Sequence, residues 1–168
     1  MNTELHRYLN DHLAGSAGAI GVIKKLADTA DDPEESEFFR DLGQKVDADR
    51  DLLKHLIAQL GESSSVLLEA AGGITGAASR LKLAWEGIQP GQLGRFEALE
   101  LLALGIQGKR LLWSVLAEIG PRIPEWNVVK FADLELDAIE QRDSVEERRI
   151  AAGREALLSE VLEPSPVT

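Results

Sequence analysis

The chain has no cysteine. Disulfides, thiolate nucleophiles and cysteine-based zinc sites are therefore excluded. Aromatic residues are only 5% of the sequence, which argues against an all-β fold, because strands draw heavily on aromatic and β-branched side chains. No apolar run reaches the roughly 18 residues expected of a membrane span. The N-terminal MNTELHRYLN lacks a signal-peptide pattern, so a cytoplasmic location is expected. Positive charge is short as well: the net charge is -11, against the basic patches that nucleic acid or an anionic membrane surface requires. Glu-x-x-His, Asp-x-x-His, HExxH, a nucleophile elbow and a dinucleotide fingerprint are all missing. GGITG at residues 72–76 lacks the Lys-Ser/Thr ending and the preceding strand of a phosphate loop, and reads as a helix break.

What the chain does have is helical patterning. Its 168 residues suffice for one domain, residues 1–162, with 163–168 as a disordered tail. Residues 3–30 keep helical apolar spacing through Leu5, Leu9, Leu13, Ile20, Ile23 and Ala27, with His12 and Ser16 on the inward seam. TADDP breaks this helix, and Pro33 suits the first position of the next. Residues 33–60 carry the seam Phe39, Leu42, Val46, Asp49, Leu53, Leu56, Leu60, closed by Gly61. The short loop between the two helices implies an antiparallel hairpin. Residues 62–90 hold one or two shorter helices broken near Gly72-Gly73, enough chain to travel back along a bundle.

Residues 91–119 form the third helix, apolar almost all round apart from Lys109 and Arg110 between Leu101 and Ala117. Such a helix is normally buried, and buried charges need partners. GPRIP ends it. A fourth helix is expected from Glu125 to Leu162, with Val129, Ala132, Leu136, Ile139, Ile150, Leu157 and Val161 on its inner stripe and Asp143 and Glu146 among them.

Hairpin, long crossover, hairpin is the order of ferritin-like bundles. YLNDHLAGS in the first helix and FEALELLALGIQGKRLLW in the third resemble a group of small bacterial ferritin-like proteins. The resemblance spans residues 3–160 and carries no known activity. It implies an all-α fold: a ferritin-like antiparallel four-helix bundle with a long, partly helical crossover between helices 2 and 3. The iron proteins of that superfamily use two Glu-x-x-His pairs and two further Glu. Here the corresponding positions are degraded: Asp49 precedes Leu52, Asp143 precedes Glu146, and His12 stands where a carboxylate is usual, leaving Glu97 or Glu100 on the third helix.

Counting along the helices places His12, Asp49, Gln107, Lys109 or Arg110, Glu140 and Asp143 in one layer. Two readings follow. Either His12, Asp49, Glu100 and Asp143 hold iron or manganese, or Lys109 or Arg110 stands in the metal's place, paired with Asp49 and Asp143. The second is preferred, because a fixed cation beside a divalent ion costs several kcal/mol even at an effective dielectric of about 20. No cofactor is then expected, and a non-enzymatic bundle is favoured over a divergent metal-dependent oxidoreductase. A third reading is a small-molecule or lipid-binding bundle, its pocket opened by Gly15, Gly18, Gly105 and Gly108. A homodimer is expected, through the apolar surplus of the third helix and LKLAW at 81–85. His6 reads as solvated, His55 as an exposed helix pair, and Trp85, Trp113 and Trp126 as core or interface anchors.

Overall fold

The computed structural model describes residues 3–61 and 90–162, and all regular structure among them is helical. Four helices carry it: α1 (Thr3–Thr29), α2 (Pro33–Gln59), α3 (Gln92–Ile119) and α4 (Phe131–Leu162). None is long and apolar enough to cross a membrane. The expected partly helical crossover, its break at Gly72-Gly73, the LKLAW contact surface, Trp85 and the 163–168 tail all lie outside the described residues.

The helix ends follow from local chemistry. The Asp32 side chain accepts a 3.0 Å hydrogen bond from the Glu34 N–H, Pro33 takes the first position, and Glu34 and Glu35 complement the helix dipole. Gly61 after α2 has φ +80° and Gly91 before α3 has φ +105°, conformations that suit glycine. At the far end of α3 the chain departs from expectation. Pro121 and Pro124 each open a short 3-10 turn, Gly120–Arg122 and Pro124–Trp126. The fourth helix therefore starts at Phe131 rather than Glu125, and Trp126 turns into the core, fully buried.

Cross-helix bonds define the directions. The Ser36 hydroxyl donates to the Ala27 carbonyl at 2.8 Å, and Arg50 Nη1 donates to the Leu13 carbonyl and Ser16 Oγ at 2.7 Å each, so α1 and α2 are antiparallel. Arg95 pairs with Glu35 and Lys109 with Asp49, both across 60 residues. An equal separation at two points a long way apart makes α2 and α3 parallel. The chain thus leaves α2 at one end of the bundle and re-enters α3 at the other. Arg149–Glu100 and Arg110–Glu135 show α4 returning antiparallel to α3.

Two apolar clusters fill the interior. One gathers Ile23, Phe39, Leu102, Ile106 and Val145. The other gathers Leu9, Leu56, Trp113, Leu116, Trp126 and Phe131. Two expectations fail at the packing level. The inner face of α4 is Phe131, Ala138, Gln141, Val145 and Ala152, whereas Leu136, Ile150 and Leu157 are exposed. The α4 stripe read from the large apolar residues therefore pointed outward. And α3 is not buried all round: Leu104 is 66% exposed, with Leu111 and Val115 on the same exposed face. His6, expected in solvent, is buried.

Candidate functional site

Between the two apolar clusters lies a polar layer to which each helix contributes at a core position. On α3 the inward spacing runs Leu102, Ile106, Lys109, Trp113, Leu116, and on α2 it runs Leu42, Val46, Asp49, Leu53, Leu56. On α4 the inward series Ala138, Val145, Ala152 includes Gln141, and on α1 His12 and Ser16 stand between Leu9 and Ala19. Of the two candidate cations, Lys109 takes the core position. Its Nζ donates to Asp49 Oδ2 and to Gln141 Oε1, both at 2.5 Å. The paired side chains of Lys109 and Asp49 are 14% and 16% exposed. Burial pushes the Asp49 carboxyl above its ordinary pKa, Lys109 offsets this in part, and Asp137 adds to the rise.

The other sequence candidates are placed around this centre. Arg110 turns to Glu135, with Nη2 at 3.1 Å. Gln107 accepts from Arg142 Nη1 at 3.0 Å, and Arg142 also binds Asp143 at 2.6 Å, where the Asp143 side chain is 60% exposed. Glu140 is exposed, and its backbone carbonyl accepts from the Ser144 hydroxyl. Glu100 pairs with Arg149, which also clasps Glu146. The proposed ligand set His12, Asp49, Glu100 and Asp143 therefore does not converge: Asp49 faces Lys109, while Glu100 and Asp143 are held by arginines on the surface of the α3–α4 pair. Among the described residues, no group of three His, Asp or Glu is placed to hold a metal ion. Gln141 and Arg50 were missed. Gln141 occupies an inward position on a seam of small residues, signalled only by the three-four spacing of Ala138, Gln141 and Val145, whereas Arg50 is half-buried one residue off the α2 seam that Asp49 holds.

Beside the polar layer, α1, α2 and α3 leave a cleft of about 280 Å³. It is lined by three of the four glycines expected to open space, Gly15, Gly105 and Gly108. A Cβ at Gly105 would lie 3.9 Å from the Ala19 methyl, and a Cβ at Gly15 or Gly108 would meet nothing within 4 Å. Glycine is thus not required there by close helix contact, although it costs helix stability. Gly108→Ala is expected to raise stability by up to about 1 kcal/mol, seen as an upward shift of the urea midpoint. An equal-sized loss would show that the helices meet closely at Gly108.

His12 lines the same cleft, its ring edge-on to Tyr8 at 4.7 Å. Burial lowers its pKa below the ordinary value, while Asp11 acts in the opposite sense. A depressed folded-state pKa means that the unfolded chain binds the proton more readily. The His12 contribution is therefore fully present above the unfolded histidine pKa of about 6.5 and is lost as pH falls through the lower folded value. Stability is expected to decline between about pH 7 and pH 5 in a way that His12→Gln flattens. Parallel slopes for the two proteins in pH-dependent urea titrations would refute the assignment.

Compared with protein-family models, with curated proteins and with solved structures, the chain finds no match.

Proposed function

We propose that this chain is a ferritin-like four-helix bundle that works by binding rather than by di-metal oxidation, with a lysine-centred cluster in the place of the metals. The carrying observation is the Lys109 ammonium held between Asp49 and Gln141 at mid-bundle. The parallel run of α2 and α3, joined by a long connection, is the connectivity of ferritin-like folds. Three helices direct polar residues into one mid-bundle cluster, Asp49, Lys109 and Gln141, and His12 of α1 lines the adjoining cleft. The difference is in the donor set. A di-metal site gathers several carboxylates to balance the metal charge, whereas here a single carboxylate is already balanced by a fixed cation. A divalent ion entering the layer would face that cation at short range with too few ligands.

This reading predicts that protein purified without chelator from cells grown in excess iron and manganese carries less than about a tenth of an equivalent of either, since one carboxylate and one imidazole make a weak site for both. Elemental analysis by mass spectrometry measures it, and a stoichiometric metal would overturn the proposal. The binding half of the reading is supported by the cleft beside Lys109, with its three glycines and its buried tryptophan.

A further inference from the structure

We infer that the cleft between α1, α2 and α3 is a binding site for a small hydrophobic monocarboxylate. The inference rests on the reading of the bundle as a binding protein and names the class of ligand. Size comes first. At about 280 Å³ the cleft is larger than the apolar cavity of about 150 Å³ that holds benzene, and it falls at the small end of ordinary ligand pockets, about 300–1,000 Å³. A short alkyl chain or a substituted aromatic ring matches that space.

The cleft is polarised along its length. Ala19 on α1 faces Gly105 on α3, in the stretch of the cleft that also carries Val46 and Ile106. Further along the antiparallel α1 and α3 come His12, Arg50 and Trp113. One stretch is thus apolar, while the other presents hydrogen-bonding groups.

Of the charged groups that line the cleft, Asp11 lies beside His12 and Asp49 faces Lys109, which leaves Arg50 as the cation with donors to spare. Lys109 is neutralised by Asp49. Arg50 uses Nη1 on two neutral acceptors, the Leu13 carbonyl and Ser16 Oγ, and among the described residues it has no carboxylate partner. Its Nε and Nη2 remain, in the fork geometry that fits a carboxylate. Trp113 is 1% exposed, and its indole Nε1–H finds no acceptor among the described residues. With almost no accessible surface, that nitrogen lies behind the cleft wall, so a ligand in the cleft is met by Arg50 and not by the indole N–H. Asp51, next to Arg50 in sequence, feels the guanidinium charge, but among the described residues no carboxylate closes the Arg50 fork, and a fork left open on an apolar cleft asks for an anion with two oxygen acceptors attached to an apolar body. A cationic amphiphile would meet Arg50 with like charge.

The test is calorimetric titration of the full chain with octanoate, 1-octanol and octylamine. Octanoate is expected to bind once per chain, at least about tenfold more tightly than octanol, the factor that one charge-assisted hydrogen bond supplies, and octylamine is expected to give no binding heat. Arg50→Met should abolish the preference for octanoate over octanol. Gly108→Leu, which fills the cleft from α3, should remove binding of both, with a cooperative melt recorded to show that the variant is folded. Equal affinity of the wild-type chain for octanoate and octanol would overturn the acid class while leaving a small-molecule cleft in place. No binding of either probe, or unchanged binding in folded Gly108→Leu, would overturn the site itself. Neither result touches the lysine-for-metal reading, which metal content tests separately.

Discussion

Lys109→Met is expected to cost about 3 kcal/mol of stability, the low end of the roughly 3–5 kcal/mol lost when one member of a buried ion pair is removed. The low end applies because both side chains keep slight solvent contact, 14% for Lys109 and 16% for Asp49. Two groups lose their partner at once, the Asp49 carboxylate and the Gln141 carbonyl oxygen. Methionine restores the volume of the lysine stem, so the loss reports the charge rather than a cavity. The pH dependence separates this cause from others. In the wild-type fold Asp49 already has a raised pKa, and a raised carboxylate pKa means that the folded state binds the proton more readily. Its burial penalty is therefore absent at low pH and grows as pH rises through the folded value. Removing Lys109 removes the main opposing influence, so the Lys109→Met defect should be largest near neutrality and shrink as Asp49 takes up a proton. Adding Asp49→Leu should recover most of the loss, because a buried ion pair replaced by apolar residues of similar volume is often neutral. Urea unfolding across a pH series reads all three results. A defect below about 1 kcal/mol, the size of a surface pair, would mean that the Lys109–Asp49 contact does not organise the bundle centre.

The reason Asp49 and the Lys109-Arg110 pair stand out in the sequence, with the choice within the pair left open, while Gln141 does not, is a matter of contrast. On α2 and α3 the inward positions are large aliphatic residues, so a single charge in the seam stands out, as Asp49 does between Val46 and Leu53. The ends of α2 and α3 were legible because Asp32-Pro33, Gly61, Gly91 and Gly120-Pro121 are residues with narrow conformational demands, whereas the start of α4, past two proline turns, was not. On α4 the contrast inverts. Its inward residues are small, Ala138 and Ala152, or long and polar, such as Gln141, while Leu136, Ile150 and Leu157 face outward. The aliphatic stems and guanidinium faces of arginines supply packing that elsewhere comes from leucine: Arg148 lies over the Phe38 ring at 3.4 Å, and Arg149 lies near the Phe96 ring at 5.8 Å. A stripe drawn through the large apolar residues thus selects the wrong face and takes Asp143 with it, while the count along the helices that put Glu140 in the layer gives its height and not its direction, which is outward. The cleft was partly legible through its glycines. Arg50 was not, since its neighbour Asp49 holds the seam position and only the cross-helix bond to Leu13 and Ser16 reveals where its guanidinium goes.

Phe131→Ala carries the other large expected effect, a loss of about 3–5 kcal/mol, typical of a buried phenylalanine cut to alanine. Phe131 is 4% exposed at the first turn of α4. Its ring stacks on Trp113 with centroids 6.2 Å apart and meets Trp126 edge-on at 6.0 Å. The third side of the ring is the α-carbon of Gly120, where an added Cβ would come within 2.5 Å of Cε2 and 2.9 Å of Cδ2. With a tryptophan on two sides the ring has little room to yield. Gly120→Ala should therefore destabilise by about 1–3 kcal/mol, the usual cost of overpacking. In Gly120→Ala combined with Phe131→Ala the clash disappears, so the double variant should be no less stable than Phe131→Ala alone, a non-additivity expected only of residues in contact. Urea midpoints at constant m-value measure each step. Additive losses would show that Gly120 does not pack on the ring. The corner also governs the polar layer. Phe131 and Gly120 fix where α4 begins against the end of α3, and that starting point sets the register in which Gln141 reaches Lys109 and Glu135 reaches Arg110. A looser corner should weaken the Lys109–Gln141 bond by letting α4 shift along α3. Lys109→Met should then cost less in the Phe131→Ala background than in the wild type, which ties the bundle centre to an aromatic corner three turns away along α3.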